Sequence, residues 1–597
     1  MKTSKLNWSS YSLIIILSFI VSSCQTGNHG KDLKVNNNSE LASALSQVKP
    51  GDVIVMADGT WNDASIFIDS SGTSSAPITL QAETPGKVML TGQSSIILGG
   101  DYIIIDGLHF KDGYSPSRAV IRFGKDSENV ANHCIVRNCV IEDFNKPQRN
   151  KSDLWVLFHG RNNELDHCYL AGKSNRGPTI RVDLEGNQSI YNYHKITNNH
   201  FGPRPPKGGP SAETIQIGNS FTSMAPSHTL VANNLFDRCN GEVEVISSKT
   251  NFNEFRNNVF YKSEGSLVTR HGNYCLLDGN YFIGDEKNNN IGGIRLIGSG
   301  HTVTNNYFYK LKGENFRSPL AVMNGIPKSP LNRYIQVTDV LVAYNSWIDC
   351  ISPLQFGVGS NIDQKDVLPA SEIRSARPIR TTVANNLIYN SSPNRLPIVA
   401  HDKLDGILFK SNYINKQDNE FSNQESLVQN SFELKEIEEN IFAPETDLSD
   451  LDLYNGFEFD KISLDLFGNS RQENNSPGAI LSASSTSPGI LDTEKYGPAW
   501  YTDSESDSSS NTITLSPAND LNESISKASS GDIIQLNAGI YEIDAPLTID
   551  KKIIIKSSNG DDIPHIKYTG EKATPLFEMN PKGDLKLEKI KLSGNKT

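Results

Sequence analysis

The chain has 597 residues and a formal net charge of −12, with 37% hydrophobic and 21% charged residues. The length allows two or more domains, and the acidic balance excludes general nucleic-acid binding through bulk charge. An acidic protein that binds an anionic polymer must therefore do so through a local basic cleft. The modest apolar content fits many short strands separated by polar turns.

Residues 1–24 have the features of a bacterial lipoprotein signal peptide. Lys2 and Lys5 precede an apolar run at 13–21, which leads into the sequence VSSC ending at Cys24. A basic start, a short apolar core and small residues predict a secretory signal, and the run is too short to favour a permanent membrane span. The VSSC sequence resembles a lipobox, which predicts lipidation of Cys24. An ordinary signal peptide with an incidental cysteine is the alternative.

This signal predicts export across the inner membrane. The mature protein would be lipid-anchored at the cell surface or in the periplasm, with the bacterial outer membrane as the favoured location, and would contact the membrane only through its anchor. Beyond Cys24 the chain has six cysteines and no CxxC pair, so zinc is not indicated. We expect these six cysteines to be small core residues.

One short phrase recurs along the chain: a turn residue, often Asn, followed by apolar or aromatic residues. It reads NLF at Asn234, NVF at Asn258, and NYF at both Asn280 and Asn306, so the tightest intervals are 24, 22 and 26 residues. A coil of this length, made of short strands, predicts an all-β right-handed parallel β-helix whose coils stack at about 4.8 Å. An antiparallel β-sandwich is the alternative.

A capping segment occurs twice. From Ser39 to Val48, apolar residues at i, i+3, i+4 and i+7 predict a short helix, which would cover the open end of a β-helix. A similar segment begins at Asn519, at a constant offset of 480 residues. The sequence therefore predicts a first β-helix over 33–501, a Ser-rich linker over 502–511, and the start of a second, incomplete β-helix over 512–597.

The densest group of candidate functional residues lies in NGEVEVISSK and in the RHG that follows it. Glu242 and Glu244 are two residues apart, so both carboxylates would project from one face of a strand. Lys249 and Arg270 are 21 residues apart, close to one coil, and Glu213 precedes Glu242 by 29 residues. The side chains expected to converge on one lateral groove are Glu213, Glu242, Glu244, Lys249, Arg270 and His271.

Taken singly, these residues have ordinary structural explanations. A lysine at a turn is usually solvated, paired glutamates often form the outer face of a strand, and an arginine can bridge coils. Together, they fit β-elimination from a 4-linked uronic acid polymer. A cation at the substrate carboxylate would stabilise the charge that develops when the C5 proton leaves, and calcium suits acidic oxygen ligands. A neutral lysine would serve as the base, and Arg270 or a water would protonate the leaving O4.

The stretch 240–282 resembles polysaccharide lyase family 6, the group of alginate lyases and chondroitinase B. The matching pieces are NGEVEVISSK, the RNN at Arg256, and G-x-L-x-x-RHG ending at Gly272, and the similarity extends over residues 33–501 through ETIQIG and YGPAW. The resemblance implies a β-helix enzyme that cleaves by β-elimination. The roles it implies are Lys249 as base, Arg270 as acid, Glu242 and Glu244 as calcium ligands, and His271 and Arg317 as substrate-binding residues.

Two positions depart from the family pattern NGGETIRIG, which here reads PSAETIQIG. Pro210 replaces the Asn that completes the family's calcium site, and Gln216 replaces a substrate-binding Arg and is the candidate substrate-binding residue at that position. Glu213 is the candidate substitute ligand, and Ca²⁺ remains the expected cofactor.

Alginate is the favoured substrate, because the tandem β-helices and the NGEVE form resemble the alginate enzymes more closely. Dermatan sulfate, the substrate class of chondroitinase B, is the runner-up. A glycoside hydrolase that uses two carboxylates and a non-enzymatic carbohydrate-binding surface protein are alternatives from other functional classes. The expected partner is an anionic polysaccharide rather than a nucleic acid.

Overall fold

The computed structural model describes residues 30–594, except for 393–394, 418–423, 473, 503–510, 560–561 and 571–573. The predicted signal peptide with Cys24 and most of the predicted linker lie outside the described residues. Among the helices that are described, none has both the length and the apolar character needed to span a membrane. Three long parallel sheets dominate the chain, which confirms the predicted right-handed parallel β-helix.

Successive strands visit the three sheets in turn, so each full coil contributes one strand to each sheet. Sheet 1 comprises Asp32–Val35, Val53–Met56, Ile78–Ala82, Ile103–Asp106, Ile135–Arg137, Glu164–Asp166, Lys195–Thr197, Leu230–Ala232, Glu254–Arg256, Leu276–Asp278, Thr302–Thr304, Leu341–Ala343, Thr381–Ala384 and Ile407–Lys410. Sheet 2 comprises Gly59–Asn62, Val88–Gly92, Leu108–Gly113, Val140–Glu142, Tyr169–Ala171, His200–Phe201, Leu235–Asp237, Val259–Tyr261, Tyr281–Ile283, Tyr307–Tyr309, Ser346–Ile348, Leu387–Tyr389, Tyr413–Asn415 and Val428–Asn430. Sheet 3 comprises Ser65–Ile68, Ser95–Leu98, Ala119–Phe123, Leu154–Phe158, Ile180–Val182, Ile215–Ile217, Glu244–Ser248, Gly265–Thr269, Ile291–Leu296, Leu320–Met323, Leu354–Val358 and Ile398–Ala400.

A helix covers the N-terminal end of these sheets, at the place where the sequence predicts a cap. It spans Asn38–Leu45, and the side chain of Asn37 caps it by accepting a hydrogen bond from the backbone N–H of Glu40 at 2.9 Å. Leu41 is buried against the first coil. Short 3₁₀ turns lie at Asn187–Ser189, Asn315–Arg317, Ile362–Gln364, Ala370–Glu372, Gln424–Ser426, Phe459–Lys461 and Thr493–Lys495.

The C-terminal segment repeats this arrangement on a smaller scale. Its helix, Leu521–Lys527, is capped by Asp520 in the same way. Its strands form three short parallel sheets, composed of Thr512–Leu515, Ile533–Leu536, Lys552–Ser557 and Asp584–Glu588; Ile540–Ile543, His565–Tyr568 and Lys591–Ser593; and Leu547–Ile549 and Phe577–Met579. A separate apolar core fills it. We refer to residues 511–594 as the C-terminal β-helix.

Two internal ladders explain the repeated phrase. Buried asparagines on successive coils donate side-chain hydrogen bonds to one another over 2.8–3.0 Å, along Asn199, Asn234, Asn258, Asn280, Asn306, Asn345, Asn386 and Asn412. Beside them a stack of rings runs through the core with centroids 4.6–5.2 Å apart, formed by Phe201, Phe236, Phe260, Phe282, Phe308 and Trp347. The six described cysteines are buried and free, as expected.

After the last coil the chain turns back along the outside of sheet 2. This segment, residues 434–501, begins with an antiparallel hairpin of Leu434–Glu438 and Ile441–Pro444 and packs over the tyrosines of sheet 2. The N–H of Gly497 donates to the carbonyl of Asn198 at 2.8 Å, and Trp500 Nε1 donates to the carbonyl of Asn138 at 3.0 Å. We call it the return strap, because it reaches from the late coils to the early ones.

Candidate active site

Sheet 3 presents the predicted base and acid in register. Ser248 pairs with Thr269 in the parallel strands Glu244–Ser248 and Gly265–Thr269. Lys249 and Arg270 are the next residues in the chain, so they occupy equivalent positions on neighbouring coils. Stacked strands are about 4.8 Å apart. The predicted one-coil separation of these two residues is therefore what the structure shows.

The Lys249 amine is available for chemistry. Its backbone is fixed, because its N–H donates to the carbonyl of Ile217 at 2.9 Å and its carbonyl accepts from Met224 at 3.0 Å. Its side chain is half-buried and forms neither a hydrogen bond nor an ion pair with any described residue. A rigid backbone and an uncommitted amine suit a group that must reach a substrate proton.

Arg270 is held between a carboxylate and an aromatic ring. Its Nε lies 3.6 Å from Glu244 Oε1, and its guanidinium lies over the ring of Tyr334 at 4.5 Å. Arg295, one coil further on, donates from Nη2 to the same Glu244 oxygen. Burial would raise the pKa of Glu244, but the two arginines outweigh this effect and lower the pKa, so the carboxylate stays ionised.

His271 is neutral at physiological pH. Burial, followed by the nearby positive charges of Arg270 and Lys249, lowers its pKa to about 3. Its Nδ1 and the Ser223 Oγ are hydrogen-bonded at 3.1 Å, and its Nε2 is buried without a hydrogen-bond partner among the described residues. A neutral ring with one unused nitrogen can make a directional hydrogen bond to a substrate.

The glutamates lie together, but not through the geometry expected from their spacing. The strand begins at Glu244 and its register shifts between Glu244 and Ile246, so Glu242 precedes the strand. The expectation that both carboxylates share one strand face is therefore wrong. Burial, and then the charges of Glu213 and Glu244, nevertheless raise the pKa of Glu242 to about 8.

The donor set fits a cation in part. Glu213 is buried, and its Oε2 has no partner in the described part of the chain, while its Oε1 accepts from Gln216 at 2.9 Å. Glu242 is a half-buried carboxylate on which the charges of Glu213 and Glu244 act, and a cation would stabilise it. Glu244, in contrast, is already paired with two arginines. Pro210 lies on an exposed loop and offers no side-chain ligand, and no cluster of three ligating side chains forms among the described residues.

The remaining predicted residues lie around the same groove. Gln216 is buried and links Glu213 to Arg181, whose Nε donates to its Oε1 at 2.8 Å. Arg317 is half-buried in the Asn315–Arg317 turn, where burial, and to a lesser extent the charge of Arg295, lowers the pKa of its guanidinium. The structure thus brings all predicted site residues other than Cys24 to one side of sheet 3. Their roles remain predictions.

Two groups at the site have no motif that marks them in the sequence. Arg295 lies in IGGIRL, and its only signal is that it follows Arg270 by 25 residues, about one coil. Arg204 is buried beneath the glutamates, where its Nη1 donates to the carbonyl of Glu213 at 2.7 Å. Contacts between a buried arginine and a residue on another coil depend on the fold, so the residues next to each arginine in the sequence do not reveal them.

Comparison with known proteins identifies the family. The sequence model described as Chondroitinase B matches residues 35–460, whereas no curated protein matches. Among solved structures, the PL6 family alginate lyase AlyGC is 36% identical, with a TM-score of 0.74, over 94% of this chain and 71% of that one. A mannuronic acid-specific family 6 lyase from human gut microbiota is 32% identical, with a TM-score of 0.61, over 67% and 91%.

A third structure, the PL6 family polysaccharide lyase Pedsa3628 from Pseudopedobacter saltans, is 25% identical, with a TM-score of 0.59, over 79% of this chain and all of that one. The family match spans most of the catalytic β-helix, including every predicted catalytic residue. These similarities confirm the resemblance seen in the sequence. The chain therefore belongs to the chondroitinase B family and is a polysaccharide lyase of family 6.

Proposed function

We propose that the protein cleaves alginate by β-elimination, with Lys249 as the base and Arg270 as the acid. The observation that carries this proposal is the position of an unpaired amine and a guanidinium on neighbouring coils, beside buried and half-buried carboxylates. The similar solved proteins named as alginate lyases support alginate as the substrate. The proposal includes Ca²⁺ as the cofactor.

The proton transfers follow from this geometry. Lys249, in its neutral form, accepts the C5 proton of the uronate whose C4–O4 bond breaks. The C5–H electron pair forms the C4–C5 double bond, and the C4–O4 bond breaks. O4 takes a proton from Arg270 or from a water that Arg270 orients. A well-placed general base contributes about 10²–10⁴-fold to such a step.

Electrostatic stabilisation would lower the barrier further. Removal of the C5 proton places a second negative charge next to the substrate carboxylate. Arg270 can face that charge because Arg295 shares the neutralisation of Glu244. Glu213 and Glu242 would hold a Ca²⁺ ion, and that ion, when bound, neutralises the substrate carboxylate.

Substrate positioning is assigned to three groups. His271 offers the buried Nε2 described above, and Arg317 offers a guanidinium whose Nε has no partner among the described residues. Gln216 acts through its neighbours, since its amide fixes Glu213 and its carbonyl fixes Arg181. Gln216 is thus a positioning residue in this chain.

The direct test measures the ultraviolet absorbance of the new double bond. Alginate, its mannuronate and guluronate block types, and dermatan sulfate would each be tested with and without chelator. Absorbance that rises on alginate supports the proposal, whereas a rise on dermatan sulfate alone would favour the runner-up. Chain cleavage without absorbance would indicate a hydrolase instead, and polymer binding without cleavage would indicate a carbohydrate-binding protein.

We also propose that the exported protein is anchored through Cys24. The lipobox-like VSSC sequence supports this proposal. Expression of the full chain in a bacterium with a labelled fatty acid should label the wild type but not Cys24→Ala. Labelling of the variant, or release of the wild type as an unmodified soluble protein, would refute lipidation of Cys24 and support an ordinary secretory signal.

A further inference from the structure

A cleft of about 540 Å³ lies where the first β-helix meets the C-terminal β-helix. Its charged lining residues are Arg149, Arg176 and Lys207 on one wall and Asp584 on the other. Three cations therefore face a single carboxylate. The overall chain carries a net charge of −12, so this local excess of positive charge is opposite to the bulk balance.

Direct contacts hold the two walls together. Arg149 Nη1 donates to the carbonyl of Gly583 at 2.6 Å, and its Nη2 donates to the carbonyl of Pro206 at 2.8 Å. Nearby, Lys582 Nζ lies 3.7 Å from Asp112 Oδ1. The C-terminal β-helix thus completes the cleft by contributing its second wall.

The basic residues are arranged along the axis that leads to the active site. The N–H of Arg176 donates to the carbonyl of Arg149 at 2.9 Å, so the two arginines are on neighbouring coils. The N–H of Lys207 donates to the carbonyl of Gly241 at 3.1 Å, and Glu242 follows directly. Arg149, Arg176 and Lys207 therefore lie on the three successive coils before the coil of Glu242.

These cations outnumber the carboxylates that act on them, which are Asp584 for Arg149 and Glu242 for Lys207. None of the three forms an ion pair with a carboxylate in the described ranges, and the Nε of Arg149 is buried there without a hydrogen-bond partner. Lys207 Nζ donates only to the carbonyl of Gly208, at 2.9 Å. Burial, and then the charge of Arg176, lowers the pKa of Lys207. An anion bound in the cleft would relieve both the repulsion and the unmet hydrogen bonding.

We propose that this cleft is a carboxylate-binding subsite for uronate residues of the polymer that lie beyond the reaction centre, and that the C-terminal β-helix completes it. The inference rests on the proposed function, because it assumes a uronate chain at Glu242 and Lys249. A pyranose unit is similar in length to the roughly 4.8 Å rise of a coil. Successive carboxylates could therefore meet successive coils, with arginines matched to them in forked geometry.

The test separates binding from catalysis. In a Lys249→Ala background, calorimetry measures the affinity for uronate trisaccharides and hexasaccharides. We expect the hexasaccharide to bind more tightly, and we expect Arg149→Gln or Arg176→Gln to weaken it by about tenfold while the trisaccharide is unaffected. Asp584→Asn removes the opposing charge and should strengthen hexasaccharide binding. Arg380→Gln, which affects an exposed Asp339 pair on another surface, is the matched control.

Arg176 is exposed, so its variant tests the cleft even if Arg149→Gln disturbs folding. The proposal is overturned if the hexasaccharide advantage survives Arg176→Gln, if the trisaccharide weakens equally, or if Arg380→Gln has the same effect. Wild-type elimination without any length advantage would reject the cleft and keep the proposed function. If the hexasaccharide advantage is lost in the variants but the wild type forms no double bond, the cleft proposal stands and the elimination is rejected.

Discussion

Lys249 and Arg270 follow paired residues of adjacent parallel strands, Ser248 and Thr269, so they occupy consecutive steps of one ladder. Their separation is set by the rise of the β-helix rather than by a flexible loop. The proposed base and acid, fixed in this way, can reach C5 and O4 of one uronate without a conformational change. This arrangement is the basis of the first prediction.

Replacement of Lys249 by Ala should lower kcat by about 10²–10⁴-fold, the usual contribution of a general base. The thermal midpoint should stay the same, because the amine makes no described hydrogen bond or ion pair. Double-bond absorbance on alginate and a melting curve check both expectations. Lys195→Ala, an exposed lysine on sheet 1, should retain full activity; near-normal turnover in Lys249→Ala would refute the assigned role.

His271 should remain neutral throughout the working range, because its pKa is lowered to about 3 from an ordinary value of 6.5. His271→Gln should therefore raise KM while leaving the shape of the pH profile of kcat/KM unchanged. The profiles of wild type and variant, recorded between about pH 5 and pH 9, provide the measurement. An acidic limb near 6.5 that disappears in the variant would show that the imidazole titrates there.

Calcium binding should depend on Glu242 and Glu213, the two carboxylates with uncommitted oxygens. Glu242→Gln and Glu213→Gln should each weaken calcium affinity, measured by calorimetry, and should lower activity on alginate. Glu254→Gln alters a half-exposed carboxylate on sheet 1 and should change neither quantity. Full activity of the chelated wild type, together with no heat of calcium binding, would contradict the metal assignment.

The stability of the return strap should depend on pH through Glu142. Burial alone would raise its pKa, but hydrogen bonds from His109, Lys111 and Tyr501 hold it at about 2, against 4.5 for a free glutamate. The folded-state pKa is depressed, so its stabilisation is complete above about pH 4.5 and is lost as the pH falls through about 2. Glu142→Gln should therefore lower the melting temperature at neutral pH.

The measurement compares melting temperatures of wild type and Glu142→Gln from about pH 7 to pH 2. The difference should shrink as the pH approaches 2, because the wild-type carboxylate is then protonated as well. A constant difference across this range would show that the effect comes from packing alone.

The asparagine ladder should contribute measurably to stability. Asn280→Ala leaves its neighbours in the ladder without one hydrogen-bond partner each, which costs about 1–3 kcal/mol per unsatisfied buried group. Asn280→Asp should cost more, because it also buries a charge. Denaturant unfolding measures both effects. Asn290→Ala, at an exposed turn, serves as the control; equal losses at the two positions would argue against the ladder.

The sequence predicted the coils well because each coil repeats the same physical constraint. An asparagine such as Asn258 must hydrogen-bond to its counterparts on both neighbouring coils, so its spacing reports the coil length directly. The one-coil spacing of Lys249 and Arg270 was predictable for the same reason. Local spacing failed at Glu242, because the strand begins two residues later and contains a register shift.

Contacts between distant segments could not be read from the sequence. Arg295 neutralises Glu244 across two coils, and Arg149 meets Gly583 across more than four hundred residues. No sequence motif links such partners, since each lies in a loop or strand whose position depends on the whole fold. YGPAW was recognised as a family motif, but its docking on the early coils was not foreseen.

The return strap affects how the protein unfolds. In a simple solenoid each repeat touches only its neighbours, so the ends can fray independently of the middle. Here Trp500 and Tyr501 fasten the end of the catalytic body to strands near Asn138 and Glu142. Early coils cannot separate unless the return strap detaches first, and this couples many repeats into a single cooperative transition.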